Sequence, residues 1–326
     1  MKRFLGRSGI EVSGLGMGCW AIGGPFFEGK DDLGWGIVDD SESIRAIHCG
    51  LDLGINFIDT ADVYGAGHSE RVIAKALEDR RSDVVLATKF GVMFDESSKQ
   101  VQGINAEPQY ILSACEASLN RLNTDYIDLY QFHLNDFSAN EVGPVLEALD
   151  SLISEGKIRS YAWSTDFEDR ALAFSQSEHC TAIQHQINVI DDSPDVIKVC
   201  ETNNLASINR GPLAMGLLTG KYDLSTAVTG NDVRGKNSPS WMQYFKDGKP
   251  NGAWLTKMEA VRDILTSENR TLAQGALAWL WGRSEKTIPI PGFRNEAQIT
   301  ENAGALAKGD LTQDQMDEIA QILETR

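Results

Sequence analysis

Short runs of apolar and β-branched residues alternate with longer stretches of helical periodicity from one end of the chain to the other. The runs are Leu15–Cys19, Asn56–Asp59, Asp83–Lys89, Tyr126–His133, Ile158–Ser164, Ala182–Asn188, Leu205–Arg210 and Lys286–Pro289. Between them, Ile44, Ile47, His48 and Leu51 share one helix face, and Ile111, Cys115, Leu119 and Leu122 share another. Val145, Leu146, Leu149, Leu152 and Ile153 form a further stripe, and Pro108 stands where a helix would begin. Eight strands, each followed by helix, predict an α/β fold: a closed parallel (β/α)8 TIM barrel rather than an open sheet. Segment Lys2–Ser13, with Arg7-Ser8-Gly9 at its middle, reads as an N-terminal β-hairpin that caps the barrel floor. No linker or low-complexity tract interrupts the pattern, so residues 1–326 read as one domain.

The long irregular stretch is Asp223–Asn251, which carries Gly230, Gly235, Gly248, Pro239 and Pro250. It follows the seventh strand, on the face where barrel active sites lie, and loops of that length are usually functional. With 42% hydrophobic and 24% charged residues, 326 residues suffice for a large core and a deep ligand site. Thirty basic against 47 acidic side chains give a net charge of −17, which excludes a nucleic-acid groove by repelling phosphates. That excess reads as solubility or as adaptation to salt. Cys19, Cys49, Cys115, Cys180 and Cys200 are scattered without a CxxC pair, so neither a disulfide framework nor a zinc cage is expected. The N-terminus lacks an apolar leader, and Thr271–Gly282 is too short to span a bilayer and contains Gln274. A cytoplasmic protein with no membrane partner is expected.

Polar residues recur at the C-terminal ends of the strands: Asp59, Lys89, His133, Ser164, Gln184 with Asn188, and Arg210. Charged groups there face one shared pocket, which is expensive unless they are paired or used. Tyr64 follows Asp59 by five positions in a glycine-rich turn. A phenol is a poor acid at neutral pH, but a lysine ammonium about 4 Å away would favour phenolate by about 4 kcal/mol, or three pKa units. The trio reads either as a tuned proton donor or as an ion pair bracing the barrel beside a turn-capping tyrosine. His179 and His185 lack metal-ligand spacing, and no metal site is expected; His48 and His68 read as structural. Trp20 is a candidate for the substrate pocket, with Trp35, Trp241 and Tyr244 as weaker ones.

These residues resemble a known family. Gly54-Ile55-Asn56-Phe57-Ile58-Asp59-Thr60-Ala61-Asp62-Val63-Tyr64-Gly65, Ala87-Thr88-Lys89 and Leu129-Tyr130-Gln131-Phe132-His133 resemble signatures of the aldo-keto reductases. Pro289-Ile290-Pro291-Gly292-Phe293-Arg294, with Glu301-Asn302 after it, is similar to their cofactor-closing loop. The resemblance runs from Leu5 to about Ala305 and implies a barrel that binds NAD(P)H without a Rossmann motif. It implies Tyr64 as general acid, Lys89 lowering its pKa, Asp59 anchoring Lys89, and His133 orienting a small carbonyl substrate. For the cofactor it implies Ser164 and Gln184 at the nicotinamide carboxamide, and Arg210, Gly211 and Leu213 around the ring. Gly216, Leu217, Thr219 and Lys221 would lie along the pyrophosphate, and Gly292, Arg294, Gln298, Glu301 and Asn302 at the adenosine end.

Arg294 would prefer NADP(H) through its 2′-phosphate, with NAD(H) still possible, or would only stack on adenine. Gln298 stands where many NADP-specific relatives carry a second arginine, which makes the expected preference moderate. Two departures stand out. Ser164-Thr165 replaces the usual Ser-Asn, so a shorter hydroxyl would take over from an amide. Arg210 replaces an aromatic at the seventh-strand end, as in one branch of the family. The reading is an NADPH-dependent reductase of aldehydes or ketones. Its rivals are a non-catalytic NADPH-binding regulatory module resembling a potassium-channel β subunit, and a hydrolase or isomerase on the same barrel. The sequence carries no signal for oligomeric state.

Overall fold

Successive strand residues point to opposite faces, and here the two faces enter two different cores. The computed structural model describes residues 1–324, so the last two residues of the expected domain lie outside the described residues. Eight parallel strands lie side by side in chain order: β1 (Gly16–Gly18), β2 (Phe57–Asp59), β3 (Val85–Phe90), β4 (Leu129–Phe132), β5 (Tyr161–Ser164), β6 (Cys180–Gln186), β7 (Ala206–Arg210) and β8 (Thr287–Pro289). The sheet closes where Gly18 bridges Gly292 and its N–H donates to the Pro291 carbonyl at 3.1 Å. A Cβ at position 18 would lie 2.5 Å from the Ile290 carbonyl oxygen, so glycine is what lets the seam close.

Helices α1 (Asp40–Asp52), α2 (His68–Ala76), α3 (Pro108–Leu122), α4 (Gly143–Ser154), α5 (Glu168–Ser175) and α6 (Pro194–Thr202) return the chain between successive strands. Helices α7 (Gly252–Leu265) and α8 (Leu272–Arg283) lie between β7 and β8, and α9 (Glu296–Gly304) and α10 (Gln313–Glu324) follow. No described helix is long and apolar enough to cross a membrane. The predicted stripes are the buried faces: Ile47 and Leu51 of α1, Ile111, Cys115, Leu119 and Leu122 of α3, and Val145, Leu149 and Leu152 of α4. Pro108 opens α3, where its missing N–H deprives the helix of nothing.

Inside the barrel, Phe57, Val85, Ala87, Leu129, Ala162, Ala182, Ala206, Ile208 and Ile288 form a separate apolar core. Leu5 and Val12 of the N-terminal hairpin (Lys2–Phe4 paired with Glu11–Ser13) join it from below, so the hairpin plugs the floor as expected.

Element boundaries differ from the sequence reading in identifiable places. Strand β4 starts at Leu129 rather than Tyr126, because the Asp128 carboxylate turns aside to pair with Arg81 and Arg159. Strand β6 stops at Gln186, and Asn188 instead bridges Asp191 in a tight turn. A small four-stranded sheet, Asp31–Asp32, Phe27–Glu28, Gln100–Ile104 and Val92–Asp95, adds a rim beside the mouth that the periodicity did not indicate. Segment Asp223–Asn251 is mostly irregular, with one short hairpin, Phe245–Lys246 against Lys249–Pro250. It is docked: Val233 N–H donates to the Gly34 carbonyl at 2.7 Å, and Val233 and Phe245 are buried.

Candidate active site

Stepping by twos up the inner face of each strand leads from the apolar core to one polar layer. Phe57 gives way to Asp59 on β2, and Val85 and Ala87 to Lys89 on β3. Leu129 leads to Gln131 and His133 at β4, Ala162 to Ser164 on β5, Ala182 to Gln184 on β6, and Ile208 to Arg210 on β7. The register sets Gln131 beside Lys89 and Ser164 beside Gln184. The period-two rule therefore assembles most of the site without help from the loops.

Lys89 is wholly buried, and its Nζ donates to Asp59 Oδ1 at 2.6 Å, to the Thr60 carbonyl at 2.8 Å and to the Tyr64 hydroxyl at 3.4 Å. The other oxygen of Asp59 accepts the amides of Gln131 and Gln184, both at 2.7 Å. A buried ion pair needs this saturation, because each unmet lone pair would add desolvation cost. Burial pulls the Lys89 pKa down, yet Asp59 and Tyr64 more than offset it, and the net direction is upward. Lys89 is therefore a fixed cation.

Tyr64 reaches this cation from a turn that glycine makes possible. Gly65 has φ +64°, and a Cβ there would sit 1.8 Å from the Gly23 carbonyl oxygen. Burial raises the Tyr64 pKa, Lys89 opposes the rise, and the net shift is upward. Lys89 lowers this pKa, as expected, but burial is the larger effect and sets the net direction. The phenol keeps its proton at neutral pH.

His133 meets the Tyr64 ring edge-on at 5.9 Å. Burial, with the charges of Lys89 and Arg210, holds its pKa well below the usual imidazole range, so the ring is neutral. Its buried Nδ1 has no hydrogen-bond partner among the described residues. Trp20 lies over Tyr64, 5.8 Å between ring centres and 20° between planes, with its Nε1 tied to the Leu33 carbonyl at 3.0 Å. Trp35 meets Trp20 edge-on at 5.5 Å, and the half-exposed Trp241 approaches it at 6.2 Å.

Beyond this centre, the predicted residues of β7 and the chain after it line one side of the mouth. Arg210 pairs with Asp166 and donates to Gln186 Oε1 at 3.2 Å. Gly211 accepts the Asn188 amide at 3.2 Å, and Leu213 packs against the outer core. Ala214, Met215 and Gly216 all have positive φ and bend the backbone sharply; Met215 has its carbonyl held by Arg234 at 3.1 Å. Leu217 is wholly buried, its carbonyl accepting from the Gly220 N–H at 3.2 Å, and the Thr219 hydroxyl is committed to the Gly216 carbonyl at 2.8 Å. Lys221 is exposed and has no acidic partner among the described residues.

On the opposite edge, Arg294 donates to the carbonyls of Trp35 at 3.2 Å and Ile37 at 2.5 Å. Gln298 Oε1 accepts the Arg294 backbone N–H at 2.8 Å, which fixes the turn after Gly292. Asn302 Nδ2 reaches the Gly292 carbonyl at 3.5 Å, and Glu301 stands beside it on α9. The Gln184 amide donates to the Asp59 carboxylate. The Thr165 hydroxyl donates to the Asn135 carbonyl at 2.6 Å and braces that loop. Buried Tyr244 is a packing residue whose hydroxyl bonds Asp191 at 2.8 Å, and His68 bonds Asp40 at 2.8 Å away from the mouth.

The model of the Aldo/keto reductase family matches residues 14–324. The chain belongs to the aldo-keto reductase family. It is 33% identical over 318 residues to the oxidoreductase YqkF of Bacillus subtilis (strain 168), covering 97% of this chain and 94% of that protein. Among solved structures, it is similar to a glycerol dehydrogenase from Gluconobacter oxydans, with TM-score 0.81, 28% identity and coverage of 99% and 95%. An aldo-keto reductase from Bacillus halodurans, in its holo form, gives TM-score 0.79 and 27% identity over 98% and 95%.

Several residues that shape this aldo-keto reductase site went unremarked as candidates in the sequence. Gln131 was findable, because it shares a strand face with His133 two residues on. Asp166 stands two residues beyond Ser164 and was findable by the same spacing. Asp232 and Arg234, whose carboxylate and guanidinium join at 2.9 and 2.8 Å, lie in irregular chain and carry no periodic signal.

Proposed function

We propose that the chain reduces aldehydes or ketones to alcohols with NADPH, Tyr64 serving as the general acid. The observation that carries this reading is the Tyr64 hydroxyl held 3.4 Å from the buried Lys89 ammonium, at the barrel mouth and facing His133. The residues present fit a dinucleotide phosphate. In a chain of net charge −17, Lys221 and Arg294 both stand at the mouth without a carboxylate partner among the described residues. Along the chain, the sharp bend at Ala214–Gly216 separates Lys221 from Arg210, Gly211 and Leu213, which with Ser164 and Gln184 would form the nicotinamide side.

Leu217 and Thr219 would contribute backbone groups along the pyrophosphate, and Gly292, Gln298, Glu301 and Asn302 would frame the adenosine beside Arg294. When bound, NADPH supplies the hydride. Neutral His133 donates a hydrogen bond that orients the carbonyl oxygen beside the Tyr64 hydroxyl. Tyr64 gives its proton to that oxygen, and the phenolate left behind is stabilised by the Lys89 ammonium. Such a group acts mainly in the transition state, because the phenol is neutral before transfer and negative after it. Asp59, fixed by Gln131 and Gln184, keeps Lys89 in place throughout.

The test is a turnover screen with NADPH and NADH over aldehydes, ketones and sugars, on the wild type and on Arg294→Ala. Arg294→Ala is expected to raise the KM for NADPH about ten-fold while leaving NADH nearly unchanged. Equal losses for the two cofactors would reduce Arg294 to an adenine-stacking residue. No turnover with any carbonyl would contradict the functional reading.

A further inference from the structure

We infer that the pocket over Tyr64 selects flat, uncharged aromatic carbonyl compounds, and that Trp241 makes the selection. The inference rests on the carbonyl reduction proposed above. An apolar wall runs outward from the proton donor: Trp20 lies over Tyr64, Trp35 meets Trp20 edge-on, and Trp241 adds a third indole at 6.2 Å. The three rings come from separate stretches of chain, so their convergence is a product of tertiary structure.

Trp241 is 55% exposed, although an indole ring of that size is ordinarily drawn into a core. Its neighbours are not free. Gln243 Nε2 and the Tyr244 hydroxyl both donate to Asp191 Oδ2, at 2.9 and 2.8 Å, and Met242 N–H closes a turn onto the Pro239 carbonyl at 3.0 Å. The indole is therefore presented at the mouth by an anchored backbone. An aryl group whose carbonyl oxygen meets Tyr64 would extend along Trp20 toward it.

Charge points the same way. Lys89 is paired with Asp59, Arg210 with Asp166, and Arg234, 4.4 Å above the Trp35 ring, with Asp232. These three cations are already neutralised, and Arg294, held on the Trp35 carbonyl, is the one assigned above to the cofactor, so none is left to reward a carboxylate or phosphate on the substrate. Short polyhydroxylated carbonyls would meet indole faces that offer no acceptors.

The experiment compares kcat/KM for benzaldehyde and glyceraldehyde with NADPH in the wild type, Trp241→Ala, Trp241→Phe and the exposed control Leu224→Ala. The wild type should favour benzaldehyde by at least about ten-fold, and Trp241→Ala should lose about ten-fold on benzaldehyde, through KM. Glyceraldehyde should change by less than about two-fold, Trp241→Phe should keep most of the preference, and Leu224→Ala should match the wild type. Turnover without aromatic bias, or equal effects of Trp241→Ala on both aldehydes, overturns the inference and leaves the reductase reading standing. Turnover of neither aldehyde also overturns the inference, and the wider carbonyl screen then decides the reductase reading.

Discussion

Lys89 is the residue on which the other polar side chains depend. Its ammonium spends three donors on Asp59, Thr60 and Tyr64, and the Asp59 carboxylate is in turn saturated by Gln131 and Gln184. Removing the cation takes away the group that stabilises the Tyr64 phenolate, whereas removing the Asp59 charge leaves the cation with two of its acceptors. Lys89→Met should therefore lower kcat by at least about a hundred-fold, in the range of a lost acid–base partner. Asp59→Asn should cost less. Steady-state kinetics on the two variants check this order, and a larger loss in Asp59→Asn would show that the roles are reversed.

At the scale of elements, the decisive piece is the turn between β2 and α2, because it brings Tyr64 from a loop into a layer built mainly by strands. Gly65 combines a left-handed φ with a 1.8 Å clash for any Cβ against the Gly23 carbonyl. Gly65→Ala should destabilise the fold by at least about 2 kcal/mol and displace Tyr64, lowering kcat much more than NADPH affinity. Denaturant unfolding together with cofactor titration reads both effects.

The same scale explains what the sequence discloses. Barrel strands and their flanking helices are legible because period-two and 3.6-residue patterns are both enforced by burial on two cores, and the strand-end residues Asp59, Lys89, His133, Ser164 and Arg210 follow from them. Two-residue strands such as Phe27–Glu28 and Asp31–Asp32 are too short for any periodicity. The docking of Asp223–Asn251 onto Gly34 and Trp35 depends on backbone contacts that side-chain patterns do not encode. The net direction of the Tyr64 shift is not legible for a related reason. The lysine was visible in the sequence, but the burial that outweighs it was not.

For the whole molecule, the barrel buries His185 in neutral form, its Nε2 on the Ser207 hydroxyl at 2.7 Å and its pKa lowered to about 3, chiefly by burial. The unfolded chain binds a proton at this ring near pH 6.5 and the folded chain does not. The resulting stability is present above pH 6.5 and is lost as the pH falls below it. Between pH 6.5 and 5 the loss from this residue is about 2 kcal/mol. Urea unfolding of the wild type and His185→Gln at pH 7 and pH 5 should show the variant losing less stability over that interval. Parallel losses would mean that His185 is not held neutral.

The proposed reaction turns on one proton, carried by Tyr64 and delivered to a carbonyl oxygen beside Lys89 and His133. Tyr64→Phe deletes that hydroxyl and keeps the ring against Trp20. Its kcat with NADPH, measured beside its NADPH dissociation constant, is the most direct test. The predicted result is a fall in kcat of at least about a hundred-fold with cofactor affinity nearly unchanged. Turnover at the wild-type rate in Tyr64→Phe would contradict the mechanism.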